Sequence, residues 1–124
     1  MPIVIHTYTR AQAIEDGVSI DVSEMAREAG FRWPVGVTAA VWAYVEPTRE
    51  LEAQGQSTEG RLWDTLWMAS LAARRASTGT TQVTFEVAYI QKPGKGPETV
   101  SLKMVAGPGD EGEPVMTIML PSED

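Results

Sequence analysis

The hydrophobic period changes at the polar stretch STGTT, residues 77–81, and this change constrains the fold more than any other feature. Before it, TEGRLWDTLWMASLAARRAS places apolar side chains at helical spacing, which predicts a central core helix. We expect four side chains of this helix to be buried: Leu62, Leu66, Trp67 and Ala69. After it, residues 83–89 alternate apolar and polar side chains, as a strand with one buried face does. A helix and a sheet therefore share one core.

The alternation continues to the end of the chain. Residues 100–104 repeat it, and VMTIML at 115–120 is nearly all apolar. The connections QKPGKGPET and AGPGDEGEP are rich in proline and glycine, which predicts hairpin loops and a three-stranded antiparallel meander. Because the last strand is apolar on both faces, we expect neighbours on both sides, one of them an N-terminal strand.

The first half of the chain predicts short elements with clear ends. IVI at 3–5 is typical of a short strand, and Thr7 or Thr9 can cap a helix through RAQAIEDG that ends at Gly17. VSIDV predicts a half-buried strand, and Ser23 begins a helix that ends before Gly30. A further helix runs from Thr38 to about Val45, and residues 47–58 are polar, which predicts an exposed connection.

These patterns predict the fold class. We expect an α+β fold in which a small antiparallel or mixed sheet, the C-terminal meander plus an N-terminal strand, packs against three to four helices. The 124 residues fit a single domain, 1–124.

Composition excludes several kinds of site. The chain has no cysteine and a single histidine, His6, so we expect no metal site and no cofactor. The net charge is −7, which argues against direct nucleic-acid binding because phosphate contact needs a basic face. No stretch is apolar and long enough for a signal peptide or a membrane span, so we expect a cytoplasmic protein with no membrane contact.

The acidic residues are concentrated at the C-terminal end. Residues 104–124 hold five acids and no base, and three of these acids, Asp110, Glu111 and Glu113, lie in the loop GPGDEGEP. They are candidates for contact with a basic protein surface or a divalent cation. A solvated turn is the alternative.

The four tryptophans have two interpretations. Core packing accounts most simply for Trp33, Trp42, Trp63 and Trp67. A tryptophan that proves exposed is instead a candidate hot spot for binding. Of the four, we predict Trp33 as the binding candidate.

Several phrases occur together in one order: YTRAQAIEDG, DVSEMAREAGFR, TAAVWA, GRLWDTLWMAS and LKMVAGPGDEGEPVMTIMLP. From Tyr8 to Pro121 the chain resembles a family of small bacterial proteins of unknown function that is often carried on plasmids and integrative conjugative elements. The resemblance implies a mobile-element context and supplies no catalytic residue.

The sequence is compatible with two functions. We expect a non-enzymatic accessory protein that binds protein, such as a mobile-element inhibitor or adaptor acting on host or defence machinery. The alternative is a small hydrolase whose Asp21, Glu86 or His6 converge only in three dimensions. A deep pocket with converging carboxylates favours the enzyme, whereas a flat aromatic or acidic patch favours the binding protein.

Overall fold

A computed structural model describes residues 8–123. It has an α+β fold with five strands, four helices of six residues or more and one shorter helix. In chain order the elements are α1 (Arg10–Glu15), β1 (Ser19–Asp21), α2 (Ser23–Glu28), β2 (Val35–Thr38), α3 (Ala39–Val45), α4 (Arg49–Ala53), α5 (Thr58–Arg75), β3 (Gln82–Tyr89), β4 (Glu98–Pro108) and β5 (Pro114–Met119).

The strands form one mixed sheet in the order β1-β2-β5-β4-β3. The meander β3-β4-β5 is antiparallel, as predicted, and β5 has a neighbour on each side. Its second neighbour is β2, which runs parallel to it, and β1 pairs antiparallel with β2. The sequence pattern missed β2 because VGVT is only four residues long and buried on both faces, so it shows no alternation. The strand predicted at 3–5 lies outside the described residues.

Helix α5 covers one face of the sheet and supplies the centre of the core. Leu66 and Ala69 are fully buried and Leu62 nearly so, as predicted. The prediction for Trp67 is wrong, because its side chain is 38% exposed. The buried face of α5 is rotated away from it and includes residues 61, 65 and 70, so Trp67 lies at the border of the helix face that contacts solvent.

The connection between α3 and α5 is more ordered than its polarity predicts. Residues 49–53 form α4, whose start is capped by Thr48 through the Leu51 N–H. Leu51 is 2% exposed, so a single apolar side chain anchors the segment to the protein. The predicted irregular, exposed connection is therefore wrong for this part.

The predicted ends of the first helices are confirmed. Thr9 caps α1 in a reciprocal arrangement with Gln12. Gly17 and Gly30, just after α1 and α2, have φ angles of +73° and +105°, which side chains rarely adopt. The chain can therefore reverse direction at these two positions and place β1 and β2 at one side of the sheet.

Candidate functional site

Asp110 in the acidic loop connects the β4-β5 hairpin to the first helix. Its carboxylate accepts hydrogen bonds from the backbone N–H groups of Arg10 at 2.7 Å and Ala11 at 3.0 Å. These N–H groups belong to the first turn of α1 and have no partner within that helix. Asp110 thus completes the start of α1 from a position one hundred residues away.

The other two acids of this loop differ from each other. The Glu113 carboxylate accepts the Glu111 N–H at 3.0 Å and folds over Gly109, where a Cβ would collide with it. No residue within 8–123 donates a hydrogen bond to the Glu111 carboxylate. Glu111 is therefore exposed to solvent and, unlike Asp110 and Glu113, its carboxylate accepts no hydrogen bond from the described residues.

Asp21 holds two helices in place. Its carboxylate accepts the Ser23 hydroxyl at 2.5 Å and the Ser23 N–H at 3.1 Å, at the start of α2, and forms an ion pair with Arg10 at 3.1 Å. Partial burial acts to raise the pKa of Asp21, but the hydrogen bonds from Ser23 and the charge of Arg10 outweigh it and lower the pKa. Asp21 is an ionised structural anchor and is poorly suited to donate a proton.

The carboxylates of the hydrolase alternative do not converge. Asp21 lies on β1 and Glu86 on β3, the two opposite edges of the five-stranded sheet. Four strand spacings of about 4.8 Å separate these edges by roughly 19 Å, too far for the two side chains to act on one bond. His6 lies outside the described residues. Within 8–123 no group of three acidic or histidine side chains is placed to hold a metal ion.

Two tryptophans are exposed on the same side of the protein. Trp33, between α2 and β2, is 46% exposed, and Trp67 of α5 stacks on Trp63 with ring centroids 5.9 Å apart. The guanidinium of Arg74 lies over the Trp67 ring, 5.5 Å from its centroid. Arg74 also borders, with Arg32 and Trp33, an open recess of about 410 Å³.

We call Arg32, Trp33, Trp67 and Arg74 the tryptophan surface. Its two halves come from different elements, and Gly30 lets them approach closely because a Cβ at that position would lie 3.0 Å from the Arg74 guanidinium. Ser70 of α5 fixes the same junction by donating its hydroxyl to the Ala29 carbonyl at 3.0 Å. The connection that carries Arg32 and Trp33 is therefore held against α5 where it leaves α2.

A buried arginine was missed by the sequence analysis. Helical spacing predicts that Arg61 lies off the apolar stripe of α5, but it is 6% exposed and donates to backbone carbonyls at the end of α3 and after β3. Burial lowers the pKa of Arg61, while the neighbouring Tyr89 and Asp64 act to raise it. All of its contacts are with the protein interior, so its task is structural.

Comparison with known proteins identifies a family. Residues 2–124 match DUF6573, described as a family of unknown function. The chain belongs to this family. The resemblance seen in the sequence is confirmed to that extent. No curated protein and no solved structure matches the chain.

Membership of DUF6573 assigns no site residues, so the candidate site of this member rests on its own geometry. The tryptophan surface contains Trp33, which the sequence predicts as a binding candidate. It also contains Arg32, Trp67 and Arg74, which were not predicted to take part in a site. The only sequence signal was the i, i+4, i+11 spacing of Trp63, Trp67 and Arg74 on one side of α5. No helix between residues 8 and 123 is both long and apolar enough to cross a membrane.

Proposed function

We propose that this chain is a non-enzymatic protein-binding module that docks its partner on the tryptophan surface. The observation that carries the proposal is the exposure of Trp33 and Trp67 on either side of Arg74. Large aromatic side chains are costly to leave in water, and tryptophan and arginine are the residues most enriched at interface hot spots.

The chemistry of the surface defines the partner. Two arginines, Arg32 and Arg74, border the recess beside Trp33 and no acidic residue does, so this recess is basic although the net charge of the chain is −7. A matching partner presents apolar side chains in the centre and carboxylates at the rim. Arg74 is held over an aromatic ring, so little of its side-chain freedom is lost when it pairs with such a carboxylate.

The hydrolase alternative has less support. Its two described carboxylates lie at opposite edges of the sheet, and Asp21 is engaged by Ser23 and Arg10. The recess beside Trp33 is open and is bordered by aromatic and basic side chains, a character that suits a protein contact better than a small-molecule pocket.

The setting of the proposal comes from the resemblance to proteins of plasmids and integrative conjugative elements. In that setting the module acts in the bacterial cytoplasm, where it blocks or recruits a protein of the host or of its defences. A basic partner for the acidic loop remains a prediction. Asp110 and Glu113 are already hydrogen-bonded within the protein, so Glu111 is the best placed of the three acids to make that contact.

Affinity capture from bacterial lysate tests the proposal. Three baits are compared: the wild-type chain, a double variant with Trp33→Ala and Arg74→Glu, and Val18→Ala. Val18 is the control because its apolar side chain is about as exposed as that of Trp33 but lies outside the tryptophan surface. We expect a protein retained by the wild type and by Val18→Ala, and lost with the double variant. Circular dichroism checks that each bait is folded. Equal retention by all three baits would contradict the proposal.

A further inference from the structure

Among residues 8–123, strand β3 forms one edge of the sheet, and the backbone groups on its outer side bond to none of these residues. The Ala106 N–H donates to the Thr81 carbonyl at 2.8 Å, and the antiparallel register with β4 continues from there. Because bonding alternates in an antiparallel pair, the odd-numbered residues of β3 bond to β4. The even-numbered residues of β3 are Gln82, Thr84, Glu86 and Ala88. Their N–H and C=O groups point away from the sheet, and no residue within 8–123 bonds to them.

The opposite edge of the sheet is closed by comparison. Strand β1 is three residues long, and Arg10 of α1 is paired with its Asp21. Strand β3 has eight residues, QVTFEVAY, with no proline or lysine and one charged side chain, Glu86. Proteins normally protect a long edge with proline, with lysine or several other charged side chains, with a bulge or with a covering segment. An edge of this length with a single charged side chain is a template for a further strand.

A groove runs beside this edge on the side of α5. It has a volume of about 490 Å³. Its apolar part lies between Met68, Leu71 and Ala72 of the helix and residues 83–86 of the strand, while Arg75, Ser77 and Thr80 line the rest. Met68 is 37% exposed. A strand added to β3 would place the side chains of one of its faces against the apolar part of the groove.

We propose that β3 and this groove bind an extended peptide segment of a partner protein, which adds to the sheet as a sixth strand. The segment has apolar side chains at alternate positions, facing α5. On the other face it carries a lysine or arginine beside Glu86, the one charged side chain of β3. The lining of the groove shares no residue with the tryptophan surface.

A second copy of the chain fits this edge less well. If two copies paired antiparallel through β3, both α5 helices would lie on the same face of the joined sheet. Each helix packs on its own β3, and the strands would be only about 4.8 Å apart, whereas packed helices need about 8–10 Å. A peptide that brings no helix avoids this crowding.

The binding test uses a synthetic eight-residue peptide in which valine alternates with lysine and threonine. Amide hydrogen exchange of the full chain is followed by NMR with and without it. In the free protein we expect fast exchange at the amides of Thr84, Glu86 and Ala88 and slow exchange at those of Phe85 and Val87. The peptide should slow exchange at the first set.

Two controls separate backbone pairing from apolar adhesion. Two further peptides keep every side chain but are N-methylated at alternate residues, one along each edge of the strand. N-methylation removes the N–H groups of that edge. Only the peptide that can turn its unmethylated edge toward β3 while its valines face α5 should bind. Thr84→Pro removes an outward N–H without breaking a bond to β4, so it should abolish binding while Thr84→Val keeps it. Glu86→Lys should weaken binding of the lysine peptide about threefold to tenfold.

Three results would overturn the proposal. In the first, both N-methylated peptides bind as well as the parent. In the second, protection appears away from β3 or not at all. In the third, the even-numbered amides of β3 become protected as the protein concentration rises without peptide, which would make the occupant a second copy. The peptide arms need no variant, so they remain decisive if Thr84→Pro fails to fold.

Discussion

The guanidinium of Arg61 lies over the ring of Tyr89, 5.2 Å from its centroid, deep at one end of the sheet. It donates to the carbonyls of Tyr44 at 2.6 Å and Ile90 at 2.7 Å. The Tyr89 hydroxyl in turn is 2.5 Å from that of Thr65. One side chain therefore joins the end of α3, the end of β3 and the helix that carries both candidate surfaces.

Replacing Arg61 by methionine should destabilise the fold without changing its surface. Methionine fills much of the volume but leaves the Tyr44 and Ile90 carbonyls without a donor, which we expect to lower the free energy of unfolding by roughly 2–4 kcal/mol. Arg61→Lys should recover part of this loss, because lysine donates hydrogen bonds but lacks the planar fork. Urea unfolding measures both, and a methionine variant as stable as the wild type would contradict the role of Arg61.

Tyr89 should make the fold sensitive to alkali. Burial raises its pKa, and this effect outweighs the Thr65 hydrogen bond and the charge of Arg61, which act to lower it. The unfolded state therefore ionises first, near its ordinary pKa of about 10, so stability is retained below that pH and falls as the pH rises through it. Tyr89→Phe should show a shallower fall as the pH rises above about 10. Identical pH profiles for the two proteins would exclude Tyr89 as the cause.

Two neighbouring substitutions on α5 should distinguish its buried face from its exposed face. Leu66 is 0% exposed, so Leu66→Ala should cost on the order of 2–5 kcal/mol of unfolding free energy. Met68→Ala, only two residues away on the exposed side, should cost well under half as much. Thermal melts of both variants measure the difference, and comparable costs would mean that the helix is oriented differently.

The acidic loop should respond residue by residue. Asp110→Ala removes the acceptor for the first N–H groups of α1 and should cost about 1 kcal/mol, the usual value of a helix cap. Glu111→Ala is the matched control at the next position and should be near neutral. Chemical denaturation provides the comparison. A neutral Asp110→Ala would show that α1 does not depend on this loop.

The spacing of apolar residues, together with the capping residues and glycines at helix ends, predicts most elements of the fold. Alternation predicted β3 and β4, and the Thr38 cap and Gly17 predicted the ends of helices in the correct places. The short buried strand β2 could not be predicted in this way, because the four residues VGVT are too few to show a period that separates a strand from a buried helix.

The candidate site was predictable only in part. Tryptophan is among the residues that most favour the interior on average, so the sequence could name Trp33 as a candidate but could not show which ring is exposed. The capping role of Asp110 depends on a contact with Arg10 across nearly the whole chain, which no local pattern contains. Likewise, the buried position of Arg61 depends on carbonyls contributed by three other segments.

Site-specific photo-crosslinking in living bacteria tests whether the tryptophan surface binds a partner protein. A photoreactive phenylalanine analogue is placed at position 33 of the full chain, and at position 18 in the control. We expect a discrete protein adduct from position 33 that is absent from position 18 and is lost when Arg74→Glu is added. If position 33 gives no adduct while the protein is folded and abundant, or if both positions give the same adduct, the tryptophan surface is not a docking site.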